Sequence, residues 1–214
     1  MMATAKATET VSNQYRMAIY DFGTAADAID PQNPGAYQVT ALTGNLTQAG
    51  TDASNIELMT MPYPGYNSDR QSNLSSTLAS MNNIIPADGS GMSSNSPDEV
   101  LFMVSDGTND SYDCAYSNGN TCRRITPLDT TTCDTLKNRG VRIAVLYTTY
   151  LPLPTNSFYN TYMKPYVEPT SQIAAAMQSC ASPGLYFEVS PSQGIPDAMN
   201  ALFKKVVSVV RIQS

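Results

Sequence analysis

Asp106, set between Ser105 and Gly107 at the end of the apolar run Val100-Leu-Phe-Met-Val104, is a carboxylate placed for chemistry. Open α/β sheets hold their ligands in the crevice beyond the carboxyl ends of their strands. A carboxylate there, followed by the oxygen-bearing Thr108-Asn-Asp110, suits a hard cation better than it suits nucleophilic attack. The chain contains no histidine, which removes His-based triads, Cys–His dyads and most catalytic zinc sites. No G-x-S-x-G elbow is present either. A non-enzymatic chain is therefore expected, with an α/β hydrolase using Asp106 as nucleophile or metal ligand as the weaker alternative. Asp110 and Asp113 read as solvated loop acids, Asp110 being near enough to support the site.

Four cysteines, Cys114, Cys122, Cys133 and Cys180, permit three pairings. None has C-x-x-C spacing, and without histidine an all-thiolate zinc site is the metal alternative. Two bridges are preferred: Cys114–Cys122 would staple the intervening loop, and Cys133–Cys180 would join two helices expected to be neighbours. Such bridges imply an oxidising compartment.

The totals agree. With 214 residues and 42% hydrophobic content the chain suits one globular domain. A net charge of −6 argues against nucleic acid or an anionic membrane as partner. No apolar run reaches membrane-spanning length, and the N-terminus lacks the order of a signal peptide.

The elements that must position Asp106 follow from periodicity. Met1–Asn13 reads as the tail of a helix. Strands are expected at Tyr15–Phe22, Tyr37–Leu42, Glu99–Ser105, Val141–Tyr147 and Leu185–Val189. The strand before Asp106 reads as buried on both faces. Helices are expected at Asn45–Ile56, from Ser72 through Met81, at Asp129–Asn138 with Gly140 beyond its end, at Phe158–Ser179 with a break at Pro165 or Pro169, and at Ile195–Val210. Ser72 stands where a helix N-cap belongs. Strands alternating with helices predict a Rossmann-like, doubly wound, mostly parallel sheet with helices on both faces. Right-handed crossovers would place the helices before Val141–Tyr147 and Leu185–Val189 side by side, bringing Cys133 to Cys180.

The strand into Ser105-Asp106-Gly107, the stretch Lys137-Asn-Arg-Gly-Val-Arg-Ile-Ala-Val-Leu-Tyr-Thr148, the segment Cys180-Ala-Ser-Pro-Gly-Leu-Tyr-Phe187 and the closing amphipathic helix resemble a von Willebrand factor A domain. More narrowly, they are similar to the A domain of TadG-type proteins of bacterial tight-adherence (Flp) pilus systems. The resemblance covers nearly the whole chain and implies a metal-ion-dependent adhesion site built from three loops. Ser105-Asp106-Gly107 matches the third loop with Ser in place of Thr. Ser72-Asn-Leu-Ser-Ser-Thr-Leu78 matches the second, with Ser72 as its hydroxyl ligand. The first loop, Asp-x-Ser-x-Ser, occurs nowhere in this sequence. The chain is accordingly expected to be a single, N-terminally incomplete A-like domain over residues 1–214, lacking the family's first, central strand and leaving two half-sheets.

With Ser72 and Asp106 as the only metal ligands, Mg2+ (or Ca2+ or Mn2+) is expected to bind weakly or not at all. The resemblance implies an adhesion or pilus-assembly module at the periplasmic or outer face of a bacterial envelope, contacting protein partners, with any membrane anchor upstream. A structural envelope domain with a relic site is the alternative. The tyrosines Tyr147, Tyr150, Tyr159, Tyr162 and Tyr166 are either a recognition surface or a cover over the core.

Overall fold

Ile143-Ala-Val-Leu-Tyr147 is an unbroken apolar stretch rich in β-formers, and such a run suits a strand covered on both sides. In the computed structural model, which describes residues 1–23, 35–57, 72–113, 115, 123–190 and 194–210, it is the heart of the central strand of a parallel sheet. The described chain divides into two compact units, Met1–Met81 with Asp110–Arg124, and Asn82–Asn109 with Ile125–Ser214.

In the second unit, β3 (Val100–Ser105) and β7 (Tyr186–Val189) flank β6 (Arg142–Thr148) in the order β3-β6-β7. Both pairings are parallel. Val100 stands opposite Arg142 and Ser105 opposite Tyr147, while Val145 stands opposite Tyr186 and Thr148 opposite Val189. Successive β6 side chains point to opposite faces. Ala144 and Leu146 pack with Leu185, Val189 and two residues of α7 (Ile195–Val210), Leu202 and Val206. The alternate residues Ile143, Val145 and Tyr147 are also buried, on the face where α4 (Thr131–Asn138) and α6 (Gln172–Cys180) lie against β6. Helices thus cover both faces of a parallel sheet, as the alternation of elements predicts.

The expected crossover geometry holds for one bridge. Cys133 of α4 and Cys180 of α6 are both fully buried and joined by a disulfide, their Cα atoms 5.2 Å apart. The Cys114–Cys122 expectation lies outside the described residues. Asp129 caps α4 from one residue further out than an N-cap, its carboxylate accepting the Thr131 N–H at 3.0 Å. Gly140 follows the helix with φ +93°, as a left-handed C-terminal residue should. The break expected within Phe158–Ser179 falls after a π-helical turn, Tyr159–Met163, and the short α5 (Lys164–Val167). Pro165 sits in the first turn of α5, where its missing N–H costs nothing, so Glu168–Ser171 forms the gap before α6.

In the first unit, α1 (Met2–Thr8) packs on α2 (Leu46–Ser54) through Ala5, Leu46 and Ala49, all buried. Asn45 caps α2 by accepting the Gln48 N–H at 3.1 Å. β1 (Met17–Asp21) and β2 (Tyr37–Thr43) form their own two-stranded antiparallel sheet, with Met17 opposite Thr43 and Asp21 opposite Tyr37. α3 (Leu74–Ile84) begins here, its apolar stripe Leu74, Leu78 and Met81 buried.

Three expectations need correction. Only one of the described sheets is parallel: β1-β2 is antiparallel, and the described strands form separate sheets of two, three and two strands. The last of these pairs β4 (Thr108–Tyr112) with β5 (Arg123–Pro127), a ribbon that sequence reading left as loop because its residues are polar. β3, an edge strand among the described strands, is not buried on both faces. Met103 is buried, but Val104 is 40% exposed.

Candidate functional site

Ser105-Asp106-Gly107 turns the chain out of β3 through two short polar closures. The Ser105 Oγ accepts the Gly107 N–H at 3.0 Å, and the Asp106 Oδ1 accepts the Thr108 N–H at 3.0 Å. Gly107 adopts φ +73°, and a Cβ there would stand 2.7 Å from Ile173 Cγ2 and 2.6 Å from Met177 Cγ. The glycine therefore lets α6 close down on the turn that presents Asp106. Burial pushes the Asp106 carboxyl above the ordinary aspartate range, and the Thr108 N–H draws it part of the way back.

Asp106 opens into a crevice of about 460 Å³ at the carboxyl ends of β3 and β6, within the size range of ligand sites. Thr148 and Tyr150 line it beside the carboxylate. Its rim is apolar: Leu151 is 57% exposed, Leu153 49% and Ile195 39%. The segment after β6 is held in place by Thr149, whose N–H and hydroxyl both donate to the Val189 carbonyl, at 2.9 and 3.0 Å.

The tyrosines split between the two readings offered by the sequence. Tyr147 and Tyr159 are buried among the core residues, whereas Tyr150 is half-buried and lines the crevice. Tyr150 stacks on Tyr159, ring centres 6.2 Å apart, and the Tyr159 hydroxyl donates to Glu168 at 2.9 Å. Tyr147 stacks on Tyr186, whose hydroxyl donates to Glu188 at 3.0 Å. Burial foremost raises the phenols of Tyr147 and Tyr150, and the negative charge of Asp106 adds to it.

Ser72 lies in the first unit and Asp106 in the second. Ser72 precedes α3 and serves through its backbone, its carbonyl accepting the N–H groups of Leu74 at 3.0 Å and Asp110 at 3.1 Å. The cap is its neighbour: Asn73 Oδ1 accepts the Ser76 N–H at 3.0 Å, which displaces Ser72 from the N-cap role expected of it. Asp110 is not a solvated loop acid, being only 7% exposed within β4. Asp113 pairs with Arg124 at 3.2 Å. Among the described residues, no three carboxylates or thiols gather at metal-binding spacing.

Sequence reading missed the rim. The prolines of Leu151-Pro-Leu-Pro154 end the strand, and by holding the loop extended outside the sheet they also leave its leucines without a core to enter. Ile195 was read solely as the start of a helix. The protein is thus of mixed α/β class, with a helix-flanked parallel sheet and an acid-bearing, apolar-rimmed crevice at the carboxyl end of that sheet. Neither a family model nor any curated protein matches the chain.

Proposed function

We propose that this chain is a non-enzymatic protein-binding module of the bacterial cell envelope, a von Willebrand factor A-like domain resembling TadG-type proteins of tight-adherence pilus systems. Its binding face is the crevice at the carboxyl end of the parallel sheet. The observation that carries this reading is the rim: three large apolar side chains stand exposed around one half-buried carboxylate. Large apolar side chains left exposed together around one pocket are a common mark of interaction sites. The Cys133–Cys180 bridge supports an oxidising location. None of the described helices is long and apolar enough to cross a membrane.

The crevice suits binding more than turnover, because among the described residues its polar side chains beside Asp106 are threonines and a tyrosine, with no nucleophile–base pair. For a cation, the donor set is right in kind and short in number. At the crevice Asp106 supplies the one carboxylate, with threonine and tyrosine hydroxyls beside it, whereas Mg2+ demands a near-octahedral shell. A resident metal therefore does not fit, and calorimetry should find Mg2+ binding no tighter than millimolar; micromolar affinity would restore a full adhesion site.

The test is capture of pilus and envelope proteins by the immobilised chain. Capture is expected in Mg2+ and in EDTA alike, and it should be lost when Leu151→Ser and Leu153→Ser are combined. A double variant that captures as well as the parent would remove the crevice from the account. Turnover of generic phosphate or ester substrates, lost in Asp106→Asn, would overturn the non-enzymatic reading. A chain that captures nothing under any condition would be the structural domain with a relic site.

A further inference from the structure

The crevice at Asp106 has a charge character that narrows its partner. Among the described residues lining it there is a single ionisable acid and no basic side chain. Three cations of the same unit have partners of their own. Lys164 stands 3.9 Å from Glu168, Arg142 pairs with Asp98, and the Lys205 ammonium lies 5.5 Å above the Phe187 ring. Glu188, whose carboxylate accepts the Tyr186 hydroxyl and acts on Tyr147 together with Asp106, adds negative potential to that end of the sheet. Asp106 is half-buried, and among the described residues lining the crevice no cation stands beside its carboxylate.

We infer, resting on the binding face proposed above, that this crevice receives a basic side chain, lysine or arginine, flanked by apolar residues in a segment of a protein partner. Four features suit that occupant. The desolvated carboxylate gains a charge-assisted hydrogen bond that water supplies poorly there. The Tyr150 ring offers a π face of the kind that attracts ammonium and guanidinium groups. The crevice volume, about 460 Å³, accommodates a long side chain whose methylenes lie along apolar walls. Leu151, Leu153 and Ile195 then cover the apolar neighbours of the basic residue. An acidic partner would instead bring like charge onto Asp106, which is repulsive.

The probes are two capped tripeptides, acetyl-Leu-Arg-Leu-amide and acetyl-Leu-Glu-Leu-amide, titrated into the full chain in EDTA at low salt. The methyl signals of Leu151 and Leu153 report binding by NMR. The arginine peptide is expected to bind and the glutamate peptide to leave the spectrum unchanged. Asp106→Asn should weaken the arginine peptide about tenfold or more. Leu151→Lys, at a position too exposed to endanger folding, should do the same by placing a competing cation at the mouth. Equal binding of both peptides would mean a merely apolar surface and would overturn the inference. So would Mg2+-dependent binding of the glutamate peptide, or undiminished arginine binding by both variants. If the arginine peptide fails while envelope-protein capture still depends on Leu151 and Leu153, the basic-residue inference falls and the wider binding reading stands; loss of that dependence removes both.

Discussion

At Gly107 two demands meet in one residue: a left-handed backbone and the close approach of α6. Alanine there would carry strain of about 1 kcal/mol from the positive φ and would drive its methyl into Ile173, whose branched side chain cannot swing aside. Overpacking adds about 1–3 kcal/mol, so Gly107→Ala should cost about 2–4 kcal/mol in urea denaturation. Gly184 shares φ +73° but has its nearest neighbour, Lys205 Nζ, at 3.6 Å. Gly184→Ala should therefore show only the strain, and equal costs at the two sites would refute the packing argument. The tyrosines give a second residue-level expectation. The phenols of Tyr147, Tyr150 and Tyr186 are raised above the usual value of 10.0, by burial first and, at Tyr186, also by its bond to Glu188. The native state keeps protons that the unfolded chain releases, so this contribution is complete below pH 10 and is lost as the pH climbs above it. Denaturation measured on both sides of that value should show falling stability on the alkaline side, with a shallower fall in Tyr186→Phe.

Between α4 and α6 the Cys133–Cys180 bridge closes a segment with a sequence separation of 47, and replacing both cysteines with alanine should cost about 2–4 kcal/mol. Because neither sulfur is exposed, reductant alone should act slowly on the folded protein and quickly once denaturant opens it. Peptide mapping without reduction would show the linked pair directly. In the sheet, position decides cost. Val145→Ala, in the buried centre of β6, should lose about 2 kcal/mol or more, whereas Val104→Ala on the exposed side of β3 should lose less than about 1 kcal/mol. That contrast also marks what the sequence can reveal. β6, α4, α7 and the bridge were legible because continuous or 3.6-periodic apolar patterns report burial and spacing. β3 was overread, since a five-residue apolar run looks the same on an edge strand as in the middle of a sheet. β4 and β5 were invisible because Thr108-Asn-Asp-Ser-Tyr112 and Arg123-Arg-Ile-Thr-Pro127 carry little hydrophobic signal. At the site, Asp106 was legible from its strand-end position, but the rim was not. Its leucines become meaningful only once β6 has ended and left them with nothing to cover.

For the molecule as a whole, the net charge of −6 acts over distances that the crevice does not. A lone carboxylate and three apolar side chains determine how long a bound basic segment stays, because desolvated pairs and apolar contacts govern dissociation. The summed negative field governs how often such a segment arrives. The two contributions respond differently to salt. Raising ionic strength from about 0.1 M to about 1 M shortens the screening length from about 10 Å to about 3 Å, which erases long-range attraction while leaving apolar burial intact. A basic, apolar-flanked partner should therefore associate markedly more slowly at high salt while its dissociation rate changes little, and surface-immobilised binding kinetics would separate the two. Asp106→Asn should show the opposite pattern, with faster dissociation and a nearly unchanged salt dependence of association, since it removes one charge from the contact and little from the field. Salt-independent association in the parent chain would mean that its acidity has no part in recognition, and the crevice would then have to select its partner by apolar shape alone.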